Sequence, residues 1–135
     1  MDQPSAVLDA SALLVWLRLE PGALLVRSAI DRTAAISVVN WAEALTKLLD
    51  LGQDPDEVRL KIADAGILGN DLLLWPLEEE MAMDIARLRA GSRSRGLSLG
   101  DRACIALGRY LRLPILTTDR AWKGLRLGAQ IQIIR

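Results

Sequence analysis

Five short apolar runs, separated by stretches of helical periodicity, constrain this chain more than any other feature. They cover residues 6–8, 34–39, 72–75, 115–117 and 131–134, and turn or polar residues bound each one. Between them the spacing predicts helices: 10–17, stopped near Glu20-Pro21-Gly22, and 23–30. A third starts at Asn40 and carries Ala42, Leu45, Leu48 and Leu49 on one face. A fourth follows Asp54-Pro55, with Val58, Ile62 and Ala65, and a fifth covers 78–89. A sixth, after Leu97, has its apolar stripe through Ala103, Ile105, Ala106 and Leu107. Parallel neighbours need crossover connections, and helices then cover both faces. The expectation is therefore an α/β three-layer sandwich around a mostly parallel sheet, in one domain over residues 1–135.

In such sheets a site lies beyond the carboxyl ends of the strands, where the strand order reverses. With the first strand central, that point falls between the first and fourth strands. Asp9 ends the first and Asp119 follows the fourth. Glu43 and Asp101, each expected in the first turn of a helix, can reach the same crevice. Each acid also has a local use. Ser98-x-x-Asp101 fits a capping box, Asn40-x-x-Glu43 is close to one, and Asp9 and Asp119 suit caps of the segments after them. Four like charges at one end of one sheet repel unless a cation neutralises them, so their convergence points to a metal. Asp54, Asp56, Glu57 and Asp64 point to no strand end and are expected in solvent. Ser11 and Thr117, each two residues from an acid, suit orienting roles.

Composition narrows the chemistry. The chain has no histidine, which excludes Ser-His-Asp triads, Cys-His pairs and histidine-ligated zinc. Oxygen ligands suit magnesium or manganese. The single cysteine, Cys104, falls on the apolar helix face and is expected in the core. Net charge is zero, yet from Arg87 onward there are eleven Arg/Lys and only two acids, Asp101 and Asp119. A basic region with two acids suits a polyanion held beside a metal. No apolar run is long enough for a membrane span, and Met1-Asp-Gln-Pro lacks a basic leader, so a cytoplasmic protein is expected. All four tryptophans, Trp16, Trp41, Trp75 and Trp122, are expected in core or interface rather than as base-stacking platforms, with Trp122, next to Asp119 and Lys123, the one nearest the proposed chemistry.

Asp9-Ala-Ser11, Ser37-Val-Val-Asn-Trp-Ala-Glu43, Leu97-Ser-Leu-Gly-Asp101-Arg-Ala-Cys and Thr117-Thr-Asp119, in that order, resemble the successive signatures of the PIN-domain nucleases. The nearest likeness is to the VapC-type toxins of toxin–antitoxin systems, and it spans essentially the whole chain. The resemblance implies strand order 3-2-1-4-5 and endoribonuclease activity dependent on one or two Mg²⁺ or Mn²⁺ ions. It also implies a homodimer and a cognate antitoxin. By position, Asp9, Glu43, Asp101 and Asp119 would be the catalytic, metal-holding quartet. Arg93, Arg95, Arg102 and Arg120 would bind RNA phosphates.

Two other functions compete. A phosphatase using Asp9 as nucleophile would want a second acid at position 11, which is Ser, and a lysine nearby, for which only Lys123 is placed. A non-catalytic PIN-like binding module would keep the fold without the chemistry, but an intact quartet argues against it.

Overall fold

The computed structural model describes residues 3–92 and 96–135. Strand β1 (Ala6–Leu8) leads into α1 (Ala10–Leu17) and α2 (Ala23–Asp31), and β2 (Ala34–Ser37) into α3 (Val38–Asp50) and α4 (Pro55–Asp64). Strand β3 (Leu72–Trp75) precedes α5 (Glu79–Ser92) and α6 (Leu99–Leu111). Then come β4 (Ile115–Thr117), a 3₁₀ turn over Arg120–Trp122, and β5 (Ile131–Ile133). The sheet runs β3-β2-β1-β4-β5 with every pairing parallel, the expected order.

Period-two alternation sorts the strand residues between two cores. Ala6, Leu8, Ala34, Ile36, Leu72 and Leu116 face α1 to α4, against Leu13, Ile30, Trp41 and Leu48. Val7, Ala35 and Ile115 face the other way, against Met81 and Ile85 of α5 and Ala103 to Leu107 of α6. Helices cover both faces of the central strands, so these read as continuous apolar runs rather than alternating ones. Fully burying each Leu or Ile is worth about 1.5–3 kcal/mol.

Two junctions differ from the sequence expectation. Val38 and Val39 extend the second apolar run, yet β2 stops at Ser37, whose hydroxyl accepts from the Asn40 N–H at 3.0 Å and caps α3. The cap outweighs the weak β-branched preference for strand. Asn40 is thus inside the helix, and Glu43 sits in its second turn, not its first. The other junction is α6, buried along Ala103 to Gly108 rather than along one stripe. At Gly108 an added Cβ would lie 2.5 Å from Ile115 Cδ1, so the missing side chain is what lets α6 lie so close to β4.

No helix among the described residues is long and apolar enough to cross a membrane. Asp54, Asp56, Glu57 and Asp64 are exposed, as expected. Trp41 and Trp122 are core residues and Cys104 is fully buried.

Candidate active site

Beyond the C-terminal ends of β1 and β4 lies a cavity of about 300 Å³, lined by Asp9, Ala10, Ser11, Asn40, Glu43, Lys47, Asp101, Thr118 and Asp119. Four separate segments deliver its acids. Strand β1 ends at Asp9, which becomes the N-cap of α1. Helix α6 runs back toward β4 through a three-residue link turned by Arg112 (φ +57°), so the start of α6, with Asp101, stands at the carboxyl edge of the sheet. The chain leaving β4 carries Asp119, N-cap of the 3₁₀ turn. The second turn of α3 supplies Glu43.

Asp9 forms the floor, only 6 % exposed. Its Oδ1 accepts from the Ser11 hydroxyl at 2.6 Å and the Ala12 N–H at 2.8 Å, and its Oδ2 from the Thr117 hydroxyl at 2.5 Å. Thr117 Oγ1 in turn accepts from the Asp119 N–H at 3.1 Å, and Ser11 Oγ from the Thr118 N–H at 3.0 Å. These bonds stitch the ends of the two central strands together around one carboxylate. Burial pushes the Asp9 carboxyl above its usual range. Asp101 pushes it the same way, while the bonds from Ser11, Thr117 and Ala12 pull against both. The field reaches the core: burial, then the charges of Asp9, Asp101 and Glu43, push the Cys104 thiol well up.

Asp101 does two things at once. Its Oδ2 accepts from the Ser98 N–H at 3.0 Å, completing the capping box, and its carboxylate also lines the cavity. Asp119 Oδ1 accepts from the Ala121 N–H at 2.9 Å, and the residue is exposed at the rim. Glu43 is held differently. Asn40 Nδ2 donates to its Oε1 at 2.8 Å and to the Gly100 carbonyl at 2.9 Å, tying α3 to the start of α6. An added Cβ on Gly100 would sit 2.5 Å from the Glu43 carboxyl carbon. Among the described residues, no ion pair involves any of the four carboxylates.

Residues 6–126 match the family described as PIN domain. The chain belongs to the PIN-domain family. Its members are generally nucleases. No curated protein matches. Among solved structures, the chain is similar to DNA-bound VapBC from Salmonella typhimurium (TM-score 0.72, 14% identity, 98% of this chain and 100% of that one). It is also similar to VapBC2 from Rickettsia felis bound to a promoter DNA fragment (0.72, 12%, 96% and 98%). VapBC-5 from Mycobacterium tuberculosis is a further match (0.58, 24%, 98% and 99%). At these identities the likeness shows the fold.

On this PIN fold all four predicted acids line one cavity, with Ser11 and Thr117 bonded to Asp9. Among the described residues, no three acidic or cysteine side chains yet stand close enough together to hold an ion. The four acids offer oxygen donors only and make no ion pair among the described residues, which fits a hard divalent cation. The arginines fare differently. Arg102 lies between α5 and α6, its Nη1 donating to the Ile85 carbonyl at 2.9 Å, so it serves helix packing rather than the cavity. Arg120 is exposed but does not line the cavity, and Arg93 and Arg95 lie outside the described residues. Lys123, expected as the lysine near Asp9, is exposed elsewhere, and Lys47 lines the cavity instead. Sequence reading missed Asn40, Lys47 and Gly100. The spacing of Asn40, Glu43 and Lys47 on one helix face was a signal for the first two.

Proposed function

We propose that the protein is a metal-dependent endoribonuclease that hydrolyses RNA phosphodiester bonds as the toxin of a type II toxin–antitoxin system. One observation carries the reading: four carboxylates, with no ionic partner among the described residues, line a single cavity at the switch point of the sheet. Solved assemblies of the same fold are toxin–antitoxin complexes, which supports a cognate antitoxin as partner. A cytoplasmic homodimer is part of the same proposal.

Asp9, Asp101 and Asp119, with Glu43 directly or through water, would hold one or two Mg²⁺ or Mn²⁺ ions, which when bound supply Lewis acidity at the phosphate and a nucleophilic water near neutral pH. The protein's own part is positioning. Ser11, Thr117 and the Ala12 N–H fix both oxygens of Asp9, so the deepest acid keeps one orientation. Asn40 fixes Glu43 through its Oε1 at the wall of the cavity. Asp101 and Asp119, less buried, line the same cavity and would turn inward from their caps to complete the set. Because the Asp9 carboxyl is raised, proton and cation compete there, and binding strengthens as pH rises through that range.

A non-catalytic module would leave this cluster as unrelieved repulsion with no use. The test replaces Asp101 or Asp119 with Asn in the full chain and follows cleavage of single-stranded RNA with Mn²⁺. Loss of roughly 10²-fold or more, at unchanged folding, is expected. Folded variants that cut RNA at the wild-type rate would sink the nuclease reading.

A further inference from the structure

Helix α3 brings a single base to the acidic cavity. Asn40, Glu43 and Lys47 stand three and four residues apart, on one face of the helix, and all three line the cavity. Among the described residues, Lys47 is the only Lys or Arg that lines the cavity. Glutamate four residues before lysine is the favoured order for a helix ion pair, so the bland expectation is that Lys47 simply closes on Glu43. Elsewhere on the surface such a pair does form: Arg27 and Asp31, four apart, meet at 3.1 Å. Glu43 is instead engaged by Asn40 and packed against Gly100, and among the described residues no ion pair involves Lys47. Asp9 is buried at the floor, whereas Lys47 is exposed at the mouth.

We infer that Lys47 is a substrate-binding residue whose ammonium grips a phosphate oxygen of the nucleic-acid strand at the mouth of the cavity. The inference rests on the nuclease reading above. A polyanion approaching four carboxylates is repelled along its whole path, and cations bound at the floor relieve this only near the floor. A flexible point charge at the rim relieves it where the strand enters, and a lysine reaches a phosphate from many directions. Held outside the reacting centre, Lys47 contacts the phosphate equally in ground and transition states. It therefore acts on KM and not on kcat.

The experiment compares wild type, K47Q and K47R as full chains, with Mn²⁺ and a single-stranded RNA oligonucleotide at several salt concentrations. K47Q is expected to raise KM about tenfold, which is 1.4 kcal/mol. Its kcat stays within about twofold of wild type, and the slope of log affinity against log salt falls by about one. K47R restores KM to within about threefold, since it keeps the charge. Mn²⁺ titration without RNA, followed by electron paramagnetic resonance, should show K47Q binding the ion as tightly as wild type or more so. Thermal melting of K47Q is unchanged. An active wild type with unaltered KM and salt slope in K47Q overturns the Lys47 assignment and leaves the nuclease reading standing. Reduced kcat with weakened Mn²⁺ binding overturns it too, by making Lys47 part of the ion site. A wild type that binds Mn²⁺ but cuts no RNA takes both readings down together.

Discussion

Replacing Gly100 with alanine should separate the stability of this protein from its chemistry. The new Cβ would lie 2.5 Å from the Glu43 carboxyl carbon and 2.6 Å from Oε2, inside the 3.0 Å that real Cβ contacts respect. The start of α6 is pinned by its capping box and by the Asn40 bond to the Gly100 carbonyl, so the glutamate side chain has to give way. Moving it breaks the 2.8 Å bond from Asn40 Nδ2. That charge-assisted bond is half-buried, and its loss costs about 1.5 kcal/mol. Alanine in place of glycine in a helix returns up to about 1 kcal/mol. The net loss is about 0.5 kcal/mol, which lowers the melting temperature by roughly 2 °C. The displaced acid, by contrast, should weaken Mn²⁺ binding by about 10- to 100-fold and cleavage with it. Thermal unfolding in chelator, Mn²⁺ titration and RNA cleavage on the same preparation check all three numbers. A G100A protein with wild-type Mn²⁺ affinity and wild-type cleavage would refute the idea that the empty Gly100 position is what keeps Glu43 in place.

Three further outcomes follow from the geometry. In T117V the hydroxyl that donates to Asp9 Oδ2 is lost, so the Asp9 carboxyl rises further. The acidic limb of Mn²⁺ binding should move to higher pH, with T117S restoring it and an unmoved limb counting against the bond's role. For the metal-free protein, a carboxyl raised above its unfolded value near 3.8 stabilises the fold below that value, and this is lost as pH rises through the raised pKa. D9N should flatten the decline in denaturant midpoints. A wild type that gains stability on D9N over the same rise reverses the sign and defeats the argument. G108A drives a Cβ to 2.5 Å from Ile115 Cδ1 and should cost about 1–3 kcal/mol by overpacking, with Mn²⁺ affinity untouched. Unchanged melting would show that α6 and β4 can part freely there.

Much of this arrangement is legible in the chain itself. Apolar runs set the strands, and because both faces of the sheet are covered, runs such as Ala6-Val-Leu need no alternation to be recognised. Parallel pairing then puts the residue after each strand at one edge, which is why Asp9 and Asp119 could be assigned to one crevice from order alone. The junction at Ser37 was not legible, since β-branched Val38 and Val39 favour strand and only the Ser37 cap tips them into α3. The surroundings of Lys47 and Arg102 were not legible for a related reason: charge density along a sequence does not say which way a long side chain turns. Arg102 is drawn to the Ile85 carbonyl, a contact between two helices that no local pattern encodes. Gly100 is a poor helix former by propensity, and the reason it stands there is a neighbour 57 positions away.

Asp9 and Asp119 cap the helical segments that follow them, and Asp101 closes the capping box of α6, each with the carboxylate of a residue that lines the cavity. Asparagine accepts an N-terminal backbone proton about as well as aspartate does. On the nuclease proposal, exchanging Asp9 or Asp119 for its amide would therefore keep the cap and remove a metal-holding oxygen in a single step. On that proposal, inactive copies of this fold would lie one nucleotide change from active ones and would still present the same outer surface.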